Sequence, residues 1–314
     1  MAIADLYNAY LETYYNLFAT NNAWFMAWDI MHVTLYPCLI YIACIIILPT
    51  VFERHAKTLK QYKPLIDRCN FYWNAAMTIL SVVMFTGLFS SMVYNLIQTG
   101  SFYDTLCDAN QVLYKPAVFG EDGKVIYNPK HTWVFFLFLF GWSKHVELFD
   151  TLFIMLRRPG RRPMLLHWYH HVSVLFFTWY ASKSEMLAGM FFATVNSFVH
   201  MVMYYYYTLA AIGKKPKWAI WVTTIQLLQM VAGIYISVII YNAYKAGVPC
   251  NLKNQVFIIS SGFVMYFSYF ILFLRLFCSS YLQIDIFKLP YLGIVIGFLA
   301  IAGYWVYTNI IMQL

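Results

Sequence analysis

A chain of 314 residues that is 62% hydrophobic, 20% aromatic and only 11% charged is not an ordinary soluble domain, in which about a quarter of residues are charged. The formal net charge of +8 would suit a nucleic-acid partner, but the basic residues gather in short loops between apolar stretches, a pattern set by membrane topology. The composition therefore excludes a soluble module and a nucleic-acid binder. It implies an all-α polytopic transmembrane bundle, a single membrane domain over residues 1–314 with the lipid bilayer as its surroundings.

Residues 1–23 lack the basic start and cleavage site of a signal peptide, and Asp5 and Glu12 make them mildly acidic. The first apolar span, roughly Ile30–Phe52, is expected to serve as its own uncleaved insertion signal. It carries Pro37 and Pro49, which neighbouring helices tolerate. Further spans are expected at Phe71–Ile97, Thr132–Leu156, Leu165–Ser182, Met186–Ile212, Trp218–Tyr241 and Val256–Ser279. Each is near the roughly 20 residues that cross a hydrocarbon core. These seven form the core, and Leu289–Met312 is the expected eighth.

Lysine and arginine set the orientation. Arg54, Lys57, Lys60, Lys63 and Arg68 follow the first span, Arg157, Arg158, Arg161 and Arg162 the third, and Lys214, Lys215 and Lys217 the fifth. The alternate loops are poorer in basic residues, and Asp104, Asp108, Glu121 and Asp122 offset the longest of them. The basic loops thus face the cytosol and the N-terminus the opposite side. Such a basic collar would also attract a polyanionic head group.

The third span places Lys144, His145, Glu147 and Asp150 in an aromatic and aliphatic helix, where each central charge costs roughly 3 kcal/mol on insertion scales. Lys144, Glu147 and Thr151 share a stripe at i, i+3 and i+7, so Lys144–Glu147 is an expected ion pair, and Asp150 is expected to orient a ring N–H of a nearby histidine. The fourth span supplies that partner in His167-Trp168-Tyr169-His170-His171. His167 and His171 stack at i and i+4 with His170 beside them, so three imidazoles converge within the membrane. They either hold a metal or perform acid, base or nucleophilic chemistry on a lipid-like substrate. The fifth span adds Asn196, His200, Tyr204 and Tyr207 on one face, with Tyr205 read as part of an aromatic belt. The sixth adds Thr223, Gln226 and Gln229, amides of a kind that bond across to neighbouring helices.

Four boxes now stand in order. Lys144 to Thr151 fits K-x-x-E-L-x-D-T, His167 to His171 fits H-x-x-H-H, His200 to Tyr207 fits H-x-x-M-Y-x-Y-Y, and Thr223 to Gln229 fits T-x-x-Q-x-x-Q. Together they resemble the ELO-type very-long-chain fatty acid elongases, over a core of about 30–285 with an apolar extension at 286–314. The resemblance implies a 3-ketoacyl-CoA synthase of the endoplasmic reticulum, its N-terminus lumenal, condensing an acyl-CoA with malonyl-CoA to a 3-oxoacyl-CoA, CO2 and CoA. It implies no further cofactor, and as partners the reductases and dehydratase of the elongation cycle. His170 would be the nucleophile, giving an acyl-imidazole. His171 and His200 would orient and polarise the reacting carbonyls, and His167 and Asp150 would fix tautomers. Lys144, Glu147, Asn196, Tyr204, Tyr207, Gln226 and Gln229 are the candidate substrate-binding residues. Trp168, and Arg162 where other branches carry glutamine, resemble the branch favouring saturated and monounsaturated chains.

A di-iron desaturase or hydroxylase also uses an H-x-x-H-H box, but needs several such boxes. Only one forms among His32, His55, His131, His145, His167, His170, His171 and His200, so no metal is expected. A transporter would use buried charges for proton relay, yet inverted repeats and paired broken helices are not detectable. Cys38, Cys44, Cys69 and Cys278 read as small apolar filler. Cys107 and Cys250 fall in loops assigned to the oxidising side and are expected to form a disulfide.

The C-terminal stretch departs from the family, whose members usually end in a polar, often lysine-bearing tail. Leu289–Met312 is uncharged, begins at Pro290 and carries Gly293, Gly297 and Gly303, which permit close helix contact. A glycosylation acceptor appended after Leu314 is therefore expected to be modified, as one at the N-terminus is. Modification of the N-terminal acceptor alone would remove the eighth span.

Overall fold

The apolar stretches fold into long helices in the computed structural model, which describes residues 31–107, 118–119, 125–126, 132–183, 186, 188–214, 216–246 and 255–284. The eighth span, the Cys107–Cys250 pairing and the side of the N-terminus lie outside the described residues.

A π-type turn, Met31–Leu35, leads into α1, Tyr36–Arg54, with a proline in its first turn where no intrahelical N–H is needed. Short α2, Ala56–Gln61, joins it to α3, Lys63–Thr99. The 37 residues of α3 extend roughly 55 Å, well beyond a hydrocarbon core of about 30 Å, which leaves its charged first turns, Lys63 to Arg68, outside the core. Gly100 ends it in the left-handed conformation at φ 67°. After α4, Phe102–Cys107, the connecting loop contains a two-residue antiparallel pair, β1 (Val118–Phe119) with β2 (Val125–Ile126), the one departure from an all-helical fold among the described residues.

The expected third span is divided. α5, Thr132–Val146, and α6, Leu148–Arg157, meet at Glu147, whose carbonyl accepts from Asp150 N–H at 3.0 Å, three residues on rather than four. Then follow α7 (Leu165–Lys183), α8 (Gly189–Ala211), α9 (Ala219–Lys245) and α10 (Gln255–Phe277), the last running into a π-type turn, Cys278–Leu282.

Among the described residues four segments are long and apolar enough to cross a membrane: His32–Arg54, Lys63–Ile97, Ala219–Lys245 and Phe257–Leu282. The expected third, fourth and fifth spans are not among them: the third is split into helices of 15 and 10 residues, and the fourth and fifth are made less apolar by their imidazoles, tyrosines and Asn196. They take their place by packing. The chain is a multi-pass helical membrane protein in which apolar helices surround polar ones.

α8 is the centre of that packing. It lies along α3 for much of its length and touches α5 and α9. One apolar cluster, built on Met84, Leu88, Phe136, Phe140, Met190 and Ala193, fills the space between α3, α5 and α8. A larger one joins α8 to α9 and α10 through Phe192, Met230, Ile236, Ile258, Tyr266 and Tyr269. Two glycines set the closest crossings: a Cβ at Gly87 would lie 2.3 Å from the Phe136 ring, and one at Gly233 2.4 Å from the Tyr266 ring.

Cys38, Cys44, Cys69 and Cys278 are free thiols. Cys38 is buried as filler, but Cys69 is exposed. Tyr205 is exposed and stacks on Trp218, as an interfacial aromatic would.

At Gly233 the overlap is with the ring base of a buried tyrosine, which cannot swing clear. Gly233→Val is expected to lower stability by about 1–3 kcal/mol, the range for overpacking, and so to depress the melting temperature of the detergent-solubilised protein. An unchanged melt would show that α9 and α10 separate easily at this crossing.

Candidate active site

The charged stripe of α5 and α6 is wholly inside. Lys144 is 1% exposed and Glu147 0%. Lys144 Nζ donates to Glu147 Oε1 at 2.7 Å and to Asn196 Oδ1 of α8 at 2.8 Å. Ser143 Oγ donates to the same carboxylate oxygen at 3.3 Å, and His200 Nδ1 of α8 lies 3.3 Å from it. Three groups thus converge on Oε1, while Oε2 is buried with no hydrogen-bond partner. The expected ion pair is present, and α8 completes it. Removing either charge would strand the other away from water, a loss of about 3–5 kcal/mol in comparable buried pairs.

Asp150 does not orient an imidazole. It accepts from Trp73 Nε1 of α3 at 2.6 Å and from Tyr204 OH of α8 at 2.5 Å, so both oxygens are engaged away from the histidines. The next residue takes the role expected of it. Thr151 Oγ1 lies 2.8 Å from His167 Nε2 and 2.9 Å from Tyr41 OH of α1. Successive helix residues point about 100° apart, so a one-residue step changes the partner helix.

The three imidazoles are close but not equivalent. His167 and His171 sit ring to ring, centroids 4.5 Å apart, and Tyr41 packs edge-on to His171 at 6.2 Å. His171 is buried, with Nδ1 unpartnered. His170 lies 5.4 Å from His171 and turns the other way, onto the ring of Tyr269 at 5.0 Å. Tyr269 OH donates to the backbone carbonyl of His170 at 3.3 Å and shares a 2.7 Å hydrogen bond with Ser173 Oγ. Tyr169 OH pairs with Ser268 Oγ at 2.8 Å. α10 therefore clamps α7 on both sides of His170.

That ring opens on a narrow slot walled by α5, α7, α8, α9 and α10. His170, Asn196 and Gln229 are polar groups in its wall; Phe140, Val174, Phe177, Phe192, Met265 and Tyr266 supply much of the apolar surface. The wall follows α7 from His170 to Ala181, roughly 17 Å at the helical rise. Its free volume is about 50 Å³, below the roughly 300–1,000 Å³ of ligand pockets, so a guest would have to displace the lining rings.

The candidate substrate contacts separate accordingly. Asn196 and Gln229 line the slot. Lys144, Glu147 and Tyr204 are engaged in holding helices together. Gln226 Nε2 points at Met203 Sδ, 3.4 Å away, as helix-to-helix glue. Tyr207 is 43% exposed, packed edge-on against Tyr204 and Tyr206, and is not part of the slot wall. Trp73, Tyr41, Ser173, Ser268 and Tyr269 went unnoticed in the sequence. None falls in one of the four boxes, and a hydroxyl or indole within an apolar helix does not by itself name its partner. Thr151 was visible on the stripe, but its partner was not.

Comparison with known proteins identifies the family. The profile of the ELO family, GNS1/SUR4, matches residues 25–285. The chain is 32% identical over 265 residues to very long chain fatty acid elongase 4 of Trypanosoma cruzi (strain CL Brener), covering 81% of this chain and 82% of that protein. It is 34% identical over 214 residues to very long chain fatty acid elongase 3 of Homo sapiens, covering 67% and 71%. Against two Caenorhabditis elegans relatives, 35% and 36% identical, the match spans 66% of each relative's length. Matched over residues 25–285 by this profile and over more than four fifths of both chains by the trypanosomal relative, the chain belongs to the ELO (GNS1/SUR4) family.

Proposed function

We propose that this protein is a fatty acid elongase acting as a 3-oxoacyl-CoA synthase in the endoplasmic reticulum membrane, with its N-terminus lumenal. The observation that carries the chemistry is the placing of His170: of the three clustered imidazoles, it is the one in the wall of the apolar slot. His167 is engaged by Thr151, and His171 is buried behind.

In the proposed reaction a ring nitrogen of neutral His170 attacks the acyl-CoA carbonyl. The C–S bond breaks, CoA leaves as thiolate, and the ring proton neutralises it. The acyl-imidazole keeps the acyl chain in the slot. Malonyl-CoA then loses CO2, and the electrons of the broken C–C bond become an enolate carbanion. That carbon attacks the acyl carbonyl, the C–N bond breaks, and the departing imidazolate takes up one proton from solvent by way of His200, so that 3-oxoacyl-CoA leaves with neutral His170 restored. The scheme draws on acyl-CoA and malonyl-CoA and on no other cofactor. With Nδ1–H turned to Glu147, His200 keeps Nε2 for proton transfer. His171 lies beside the reacting ring, centroids 5.4 Å apart, and as a neutral imidazole polarises the carbonyl by donating a ring N–H. The product is a 3-oxo thioester, which the reductases and dehydratase of the cycle would consume. Trp168 and Arg162 support a preference for saturated and monounsaturated chains.

Purified protein given acyl-CoA alone is expected to release about one equivalent of CoA in a burst and to gain the acyl mass, with and without chelator. His170→Ala should lose both. A burst that survives this change but vanishes in His167→Ala or His171→Ala would move the nucleophile. Absence of a burst in every background would favour direct condensation in a ternary complex, and dependence on metal would overturn the scheme.

Tyr269→Phe removes the hydroxyl that steadies the His170 backbone and Ser173 while keeping the ring. One such hydrogen bond is worth about 0.5–1.5 kcal/mol, so acylation should slow by about 2- to 10-fold. KM for acyl-CoA should change little. A pure KM effect would mean that Tyr269 shapes the slot without positioning the imidazole.

A further inference from the structure

A second cavity lies apart from the slot and shares no lining residue with it. It is a crevice of about 300 Å³ between α2 and the charged ends of α3 and α6. Leu59, Ile66 and Leu156 are among its half-buried apolar residues, and Lys60, Lys63 and Arg157 are its exposed cations. Asp67 is the one carboxylate in contact with these groups, hydrogen-bonded to Lys63 Nζ and held by Arg157 Nε at 2.9 Å. Among the described residues three cations of the lining face this one paired carboxylate, and Glu53 packs at the edge against Gly160. Lys60 has no ionic partner among the described residues, and Arg158, Arg161 and Arg162 stand exposed nearby.

We propose that this crevice binds the headgroup of an acidic phospholipid. Its volume falls at the lower end of the range for occupied ligand sites. Surplus positive charge calls for an anion, and basic pockets between transmembrane helices are suited to lipid phosphates. A soluble anion would need the cations alone. Here the floor is apolar, and Tyr62 and Leu65, flanking the first residues of α3, are 53% and 55% exposed. An apolar floor beneath a cationic rim, at the point where apolar helices give way to charge, matches a glycerophosphate with its acyl chains attached. The Asp67 carboxylate keeps Lys63 and Arg157 extended toward one another, so the rim is formed before the lipid arrives. This site does not depend on the condensation chemistry.

Native mass spectrometry of the full-length protein in a delipidating detergent tests the proposal, using phosphatidic acid and phosphatidylcholine with identical acyl chains. The acidic lipid should be retained about 10-fold or more in preference. Lys60→Gln, which breaks no ion pair, should reduce that preference, and Lys60→Gln with Lys63→Gln should reduce it to within about twofold. Leu59→Ser should weaken retention of the acidic lipid without altering charge, and melting curves would identify any variant that fails to fold. Equal retention of both lipids, or a preference unchanged in the folded double variant, would overturn the proposal. Displacement of phosphatidic acid by coenzyme A or inorganic phosphate at roughly millimolar concentration would make the crevice a soluble-anion site and overturn it too.

Discussion

A lysine and a glutamate buried side by side in an apolar helix constrain nearly everything else in this protein. Lys144 and Glu147 are both excluded from solvent, and neither charge is satisfied by the other alone. An ammonium needs more than one acceptor and a carboxylate more than one donor when water is absent. Asn196 and His200 supply the remainder from α8, so α5 and α6 cannot assemble correctly anywhere except against that helix. The register is demanding. Asn196 and His200 are one helical turn apart, and both must face the pair.

Glu147 also interrupts its own helix, and the turn that follows distributes the neighbouring side chains. Asp150 reaches α3 and α8, and Thr151 reaches α1 and α7. Two adjacent residues therefore pin four helices, with charge-assisted bonds on one side and hydroxyl bonds on the other. Apolar contacts alone would leave rotation and sliding of these helices poorly determined, because hydrocarbon surfaces in a membrane gain little by choosing one another over lipid.

This scaffold separates polar groups that stabilise from those free to react. Lys144, Glu147, Asp150 and Tyr204 spend their hydrogen-bonding capacity on helix packing. His170 stands outside that network, supported through its backbone by α10 and turned toward an apolar slot. Its surroundings are mostly apolar side chains of α5, α7, α8 and α10. The charged crevice lies apart from the slot, where Arg157 at the C-terminal end of α6 pairs with Asp67 of α3. Slot and crevice thus share neither a residue nor a helix: α5 and α7–α10 wall the one, and α2, α3 and α6 the other.

Sequence by itself determined the membrane class, most helix positions, the Lys144–Glu147 pair and the membership of the four boxes. Those features rest on local rules: hydrophobic length, helical spacing and the penalty of charge in hydrocarbon, each readable within one segment. Tertiary structure alone decided which helix each polar group meets. Asp150 turned to Trp73 and Tyr204 rather than to an imidazole, since helix rotation about the Glu147 turn aimed Thr151 at His167 instead. The roles of Tyr41, Ser173, Ser268 and Tyr269 were equally hidden, because a lone hydroxyl in an apolar helix is indistinguishable from its neighbours until another helix brings its partner. Spacing along one helix fixes which residues share a face. It does not fix what that face meets, and here the meeting separates the imidazole in the slot wall from the two that lie behind it.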